Sequence, residues 1–156
     1  MTKNFDKEKI SKDIDSVDAR PEMLVQILQA IVSEYSYISE DIIRLVSQKL
    51  NLSRAEVHGV VNFYHDFRTK PAGKTVIKIC QAEACQAMGS RNLTAQIEKI
   101  LGVKMHETTA DKKYTLEPIY CLGNCACSPA IMINNRVHGR VNKTHFNTLI
   151  NGEERK

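Results

Sequence analysis

The chain has 156 residues, 42% hydrophobic and 26% charged, with a net charge of +4. That length suits one compact domain or a small domain with an accessory piece, and the composition is ordinary for a soluble globular protein. No stretch approaches the roughly 18 apolar residues a membrane span needs, and the polar opening MTKNFDKEKISKDIDS lacks the apolar core of a secretory signal, so neither a transmembrane segment nor a signal peptide is expected.

Residues 1–18 alternate charges with few apolar positions and read as a tail or a weak first helix. From Arg20 the pattern changes. Pro21 suits the first position of a helix, where its missing N–H costs nothing. Met23, Leu24, Ile27, Leu28, Ile31 and Val32 then recur at helical spacing. Ser39 is a candidate N-cap for a second helix carrying Ile42, Ile43, Leu45, Val46 and Leu50. Ser53 and Glu56 form a capping-box pattern that opens a third helix through Val57, Val60, Val61 and Tyr64. PAG at 71–73 breaks the chain, so residues 1–73 are expected to form a helical region.

Residues 74–156 have a different rhythm and are expected to form a second domain. KTVIKIC, ending at Cys80, alternates and is β-branched, so it predicts a strand. The segment CQAEACQAMGS is expected as a loop. Leu93, Ile97, Ile100 and Leu101 mark a helix that ends near Gly102. Thr108 to Tyr120 predicts one or two strands leading into a second cysteine loop. AIMIN, Asn134–Asn135 and RVHGRV predict a hairpin, because asparagine tolerates positive φ. Thr144 to Ile150 predicts a final short helix. The fold class expected is α+β, a three-helix unit followed by an α/β domain.

Charge separates the same two halves. Residues 21–73 carry five basic and six acidic groups, whereas residues 74–156 carry twelve basic and seven acidic groups. The cysteine half is the basic half. That suits an acidic partner or nucleic acid, but no dense basic run distinguishes it from scattered surface lysines.

The chain has five cysteines, and with no secretory signal a cytoplasmic location is expected. There, clustered thiols bind metal or do redox work more often than they form disulfides, and five is an odd number for a disulfide framework. The spacing is Cys80-x4-Cys85, then thirty-five residues, then Cys121-x3-Cys125. Each pair follows a predicted strand. Two strands ending side by side would bring four thiolates into one pocket, which suits zinc or an iron–sulfur cluster. The C-x-x-C of a disulfide exchanger is absent. The wide gaps leave room for a cluster of two irons, each held by one pair, without excluding zinc.

C-x4-C with a later C-L-G-x-C, behind a helical lead-in that contains LNLSRAEVHGVVNFYHDF, resembles the thioredoxin-like 2Fe–2S subunits. These accompany NADH-binding flavoprotein subunits in respiratory complex I, NAD-dependent formate dehydrogenases and NAD-linked hydrogenases. The likeness runs from about Pro21 to Val141. KICQAEACQAMG and ETTADKKYTLEPIYCLGNCACSPA, with the extra Cys127, are most similar to the formate dehydrogenase members. The resemblance implies a thioredoxin-like domain in which Cys80, Cys85, Cys121 and Cys125 ligate one 2Fe–2S cluster. It implies an electron-transfer role without catalysis on this chain. FMN, NAD and a molybdenum or tungsten cofactor are then expected on partners only: an NADH/FMN-binding flavoprotein subunit and a larger formate-oxidising iron–sulfur subunit. Gly123 would let the backbone approach inorganic sulfur, and N–H groups from Leu122 to Ala126 could tune the potential. Glu83 would lower the potential if it pointed inward, but a solvated side chain is expected.

Cys127 lies two residues from Cys125. On an extended backbone the two would point the same way before the chain turns at Ser128–Pro129. Cys127 is expected to be a thiol packed as a small apolar group rather than a ligand. His58 and His65 are expected on one helix face as surface or interface groups, and His106, His138 and His145 as isolated surface groups. Phe63, Tyr64 and Phe67 are expected to dock the helical unit on the second domain or a partner. Pro129, before an apolar strand, invites comparison with the cis-proline of thioredoxin-like folds. No G-x-G-x-x-G or G-x-x-x-x-G-K-[ST] is present, so no nucleotide site is expected on this chain. The rival from a different class is an iron–sulfur redox sensor that binds DNA, since SEDIIRLVSQKLNLSRAEVHGVVNFY resembles helix–turn–helix. Against it, the helix after Ser53 has one early arginine, Arg54, and then largely apolar residues, and its region has a net charge of −1, poor for phosphate contacts. No nucleic-acid partner is expected.

Overall fold

The structure, a computed structural model, describes residues 6–16 and 19–153. The chain divides into two compact units, Met1–Pro71 and Ala72–Lys156.

The first unit holds the three expected helices and one more. α1 spans Lys7–Ser16, within the residues that read as a tail or weak helix. Its sequence is mostly charged, but Ile10 and Ile14 stand four apart, hence on one face, and both are fully buried. Two well-placed isoleucines are enough to dock it, although its average polarity is high. Pro21–Met23 form a 3-10 turn that leads into α2, Leu24–Tyr35. α2 buries Leu24, Ile27, Leu28, Ile31 and Tyr35 and stops at Ser36, whose φ is +69°. Ser39 caps α3, Glu40–Lys49, its hydroxyl accepting from the Ile42 N–H at 3.3 Å. Ser53 and Glu56 close a reciprocal capping box on α4, Arg54–Phe63, at 3.2 and 2.8 Å. These helices enclose a core that includes Ile38, Ile42, Ile43, Val46, Leu50, Val57 and Val61. Phe67 belongs to the same core, so the expectation that it docks elsewhere is corrected. Phe63 and Tyr64 do stay exposed, and Tyr64 bridges Phe63 and Phe67 ring to ring.

The second unit is a four-stranded sheet in the order β2-β1-β3-β4. β1 is Thr75–Cys80, β2 is Tyr114–Ile119, β3 is Ile131–Ile133 and β4 is Arg136–His138. β1 runs parallel to β2 and antiparallel to β3, and β3 and β4 form the expected hairpin. Asn134 and Asn135 make its turn at φ +45° and +68°. A parallel pair needs a long crossover, and here it contains α5, Glu83–Ala87, and α6, Ser90–Leu101. The segment expected as an open loop after Cys80 is therefore partly helical. α7, Lys143–Glu153, ends the unit. Ile77 and Ile79 of β1 lie in one core with Leu93 and Ile97 of α6, Leu116 of β2, Ile131 and Ile133 of β3, and Phe146 and Ile150 of α7. Leu93, Ile97, Ile100 and Leu101 do lie on α6, with Ile100 exposed. The possible second strand near Thr108 amounts to a single bridge to Thr115. Among the described residues no helix is long and apolar enough to cross a membrane.

Candidate metal centre

Parallel pairing decides where the cysteines go. β1 and β2 run the same way, and Cys80, the last residue of β1, is opposite Ile119, the last of β2. The segments that leave both strands therefore start side by side. Cys80 is the strand end itself, Cys85 lies within α5, and Cys121 follows β2 by two residues. Cys125 begins a 3-10 turn, Cys125–Cys127, and Ser128 and Pro129 then carry the chain into β3. β3 is antiparallel to β1, so its first residues return to the same end of the sheet: the Cys80 N–H donates to the Ala130 carbonyl at 3.1 Å.

The four sulfurs come as two interacting pairs. Cys80 and Cys85 are both buried, and their thiols influence one another's ionisation. Cys121 and Cys125 are both exposed and likewise interact. Cys125 also feels the charge of Cys85, which links one pair to the other. Among the described residues no three or more histidine, cysteine, aspartate or glutamate side chains are grouped to hold one metal ion. Two pairs of thiolates, each able to take one iron, fit a two-iron group in the chemistry of the donor set.

Backbone and side-chain donors surround the sulfurs. Burial pushes the Cys80 thiol up, opposed by hydrogen bonds from the Ala82 and Leu122 backbone. Burial acts the same way on Cys85, but contacts with the Ser128 hydroxyl, the Ala130 backbone and Cys80 outweigh it and bring that thiol below its usual range. Cys85 Sγ lies 3.5 Å from Ser128 Oγ, which itself donates to the Cys125 carbonyl at 2.7 Å. Hence a neutral Cys85 donates to that hydroxyl oxygen, and an ionised Cys85 would draw the hydroxyl proton towards its sulfur. Proximity to Cys121 raises the Cys125 thiol, because two negative sulfurs there would repel each other. The Gly123 N–H donates to Cys121 Sγ at 3.3 Å. Gly123 has φ +70°, a turn that glycine makes without Cβ strain.

Ser128 and Ser90 are functional candidates that the sequence analysis missed. The buried Ser90 hydroxyl donates to the Cys80 carbonyl from the start of α6. Neither serine lies in a motif with metal-ligand spacing. Only adjacency to Pro129 and to the cysteine loop could have singled out Ser128.

Other candidates resolve individually. Cys127 is half-buried, and its N–H donates to the Asn124 carbonyl. The backbone here is a 3-10 turn rather than extended, so the geometric premise about Cys125 and Cys127 is corrected. Glu83 is exposed at the start of α5. His65 lies beyond the end of α4 and shares no helix face with His58, which contacts Asn62 at 3.0 Å. His106 is exposed but not isolated, since its Nδ1 lies 2.9 Å from Glu117. The Ser128–Pro129 peptide bond is cis.

Comparison with known proteins gives a consistent result. Residues 10–154 match the thioredoxin-like 2Fe–2S ferredoxin family. The chain is 36% identical over 127 residues to the E-type component of NADH-quinone oxidoreductase from Buchnera aphidicola subsp. Baizongia pistaciae, covering 81% of this chain and 73% of that one. It is 28% identical over 128 residues to the NADP-reducing hydrogenase subunit HndA of Solidesulfovibrio fructosivorans, covering 82% and 75%. In fold it is similar to an NAD+-reducing NiFe hydrogenase in the H2-reduced state, with a TM-score of 0.70 at 21% identity. That match covers 86% of this chain and 22% of the hydrogenase chain. With a family match across nearly its whole length and two cysteine pairs at adjoining strand ends, the chain belongs to the thioredoxin-like 2Fe–2S ferredoxin family and takes one 2Fe–2S cluster as its cofactor.

Proposed function

We propose that Cys80, Cys85, Cys121 and Cys125 ligate the cluster, and that the chain is the one-electron transfer subunit of an NAD-linked oxidoreductase complex. The observation that carries this reading is the gathering of two cysteine pairs at the ends of adjacent parallel strands. In this reading residues 74–156 are the electron-transfer domain and residues 1–73 an accessory helical region. The cluster, when bound, supplies one-electron redox chemistry. The chain's own part is to hold it and set its potential. N–H groups of Ala82, Leu122 and Gly123 face sulfurs, as do Ser128 and the Ala130 backbone, and all favour the more negative reduced state. Hydride transfer belongs to a neighbouring flavoprotein subunit that binds NADH and FMN.

Within that class we favour an NAD-dependent formate dehydrogenase, whose larger subunit would oxidise formate at molybdenum or tungsten. This finer reading rests on the wording of the cysteine loops and on Cys127. The relatives named above favour the alternatives, complex I or an NAD-linked hydrogenase. The five thiols support a cytoplasmic complex.

The test is anoxic purification of the tagged chain from its native cells with partners attached, followed by EPR of the reduced material and an assay of formate-dependent NAD+ reduction. A 2Fe–2S signal with formate activity supports both levels of the reading. The signal with NADH oxidation but no formate activity keeps the electron-transfer role and moves the chain to complex I or a hydrogenase. Stoichiometric zinc without iron overturns it. Cys80→Ser should lose or degrade the signal and Cys127→Ser should keep it, whereas an intact cluster in Cys125→Ser with loss in Cys127→Ser would reverse the ligand assignment.

A further inference from the structure

Gly139 follows β4 and meets the cysteine loop at very close range. A Cβ at this position would stand 2.6 Å from Cys127 Cβ, 2.7 Å from Asn124 Nδ2 and 2.8 Å from the Cys127 carbonyl oxygen. Two of those three atoms are fixed by the backbone, so no rotamer change relieves them. The next residues hold the contact in place. The Arg140 N–H donates to the Cys127 carbonyl at 2.6 Å, and the Val141 N–H donates to the Pro129 carbonyl at 3.0 Å. Arg140 takes φ +51° to do so, a left-handed conformation unfavourable for a residue with a Cβ. Residues 139–141 therefore run against residues 127–129 as a strap, with no room between them.

The loop under the strap is tied together by its own hydrogen bonds. The Cys127 N–H bonds to the Asn124 carbonyl, and the Ser128 N–H and hydroxyl both bond to the Cys125 carbonyl, at 3.3 and 2.7 Å. A shift of Cys127 must carry Cys125 with it. We propose that the strap positions the Cys125 turn: Gly139 is a positioning residue that acts through Cys127, and Cys127 is the spacer on which it rests. This inference depends on the reading that Cys125 holds the cluster.

Gly73 provides a matched control. A Cβ there would lie 2.9 Å from Tyr114 N and 3.0 Å from the Lys112 carbonyl oxygen, before the start of β1 and so at the opposite end of that strand from Cys80. Gly139→Ala and Gly73→Ala both crowd backbone atoms, but only the first crowds the cysteine turn.

The experiment uses the full chain with its cluster and compares the reduced EPR line shape, visible circular dichroism and midpoint potential. Gly139→Ala is expected to shift all three with its far-ultraviolet spectrum preserved. Gly73→Ala is expected to lower the melting temperature and leave the three unchanged. Cys127→Gly added to Gly139→Ala removes the closest contact and should move the signals back towards the parent. Parent-like EPR and potential in Gly139→Ala, or equal shifts in the two glycine variants, would overturn the proposal. Should Gly139→Ala fail to fold, Cys127→Val presses on the same contact from the other side, and an unshifted signal there overturns it equally. A parent chain with no 2Fe–2S signal would sink the ligand reading itself, a result distinct from a parent signal that Gly139→Ala leaves untouched.

Discussion

Ser128→Ala probes the hinge between stability and the centre. The side chain is buried, and its hydroxyl touches the Cys125 carbonyl at 2.7 Å and Cys85 Sγ at 3.5 Å. Removing it does not orphan the carbonyl, because the Ser128 N–H still donates there at 3.3 Å. The penalty should therefore be that of one ordinary hydrogen bond, about 0.5–1.5 kcal/mol, rather than the larger cost of an unsatisfied buried group. For a unit spanning residues 72–156, 1 kcal/mol corresponds to a fall of roughly 4–8 °C in melting temperature. The functional effect should run in parallel. Cys85 loses a polar contact that favours its negative charge, so the midpoint potential of the loaded chain should fall. Calorimetry of the cluster-free chain, where the hydroxyl proton serves the Cys125 carbonyl, measures the first effect, and an equilibrium redox titration of the loaded chain, where that proton serves the Cys85 sulfur, measures the second. A lower melting temperature with an unmoved potential would refute the idea that Ser128 acts on Cys85 sulfur. An unmoved melting temperature would refute the bond to Cys125.

Two further outcomes test the fold. Ile14→Ala should destabilise the helical unit by about 2–5 kcal/mol in urea titrations, since the side chain is fully buried; a change of only a few tenths would mean that α1 is not docked. Glu98 is ionised below its usual range through hydrogen bonds from Lys104 at 3.0 Å and the Met105 N–H at 3.2 Å. Its depressed folded-state pKa stabilises the fold above the unfolded value, about 4.3, and that contribution is lost as pH falls through the folded value. Glu98→Gln should therefore cost about 1 kcal/mol at neutral pH, with the gap closing in acid, and a pH-independent gap would contradict the assignment.

Local chemistry was legible in this sequence wherever one residue decides one geometry. Ser39, the Ser53–Glu56 box and the Asn134–Asn135 turn all act within a few residues of themselves, so their side chains state the outcome. α1 was harder to read because burial of Ile10 and Ile14 depends on distant partners, and five acidic and five basic groups in residues 1–20 dilute their signal. Phe67 likewise joins the core of its own unit through contacts that no spacing encodes.

The same division runs through the centre. The sequence by itself supplied the candidate donors, four cysteines in two spaced pairs, because thiolate chemistry is a property of residue type and pair spacing follows from chain connectivity. Only the tertiary structure decided that Cys80 and Cys85 are buried while Cys121 and Cys125 are exposed. It alone brought Ser128 to Cys85 and Gly139 to Cys127, forty-three and twelve residues apart in the chain. Those contacts arise from parallel pairing of β1 with β2 and the return of β3 beside β1, and strand pairing is a long-range choice that no local pattern of side chains states.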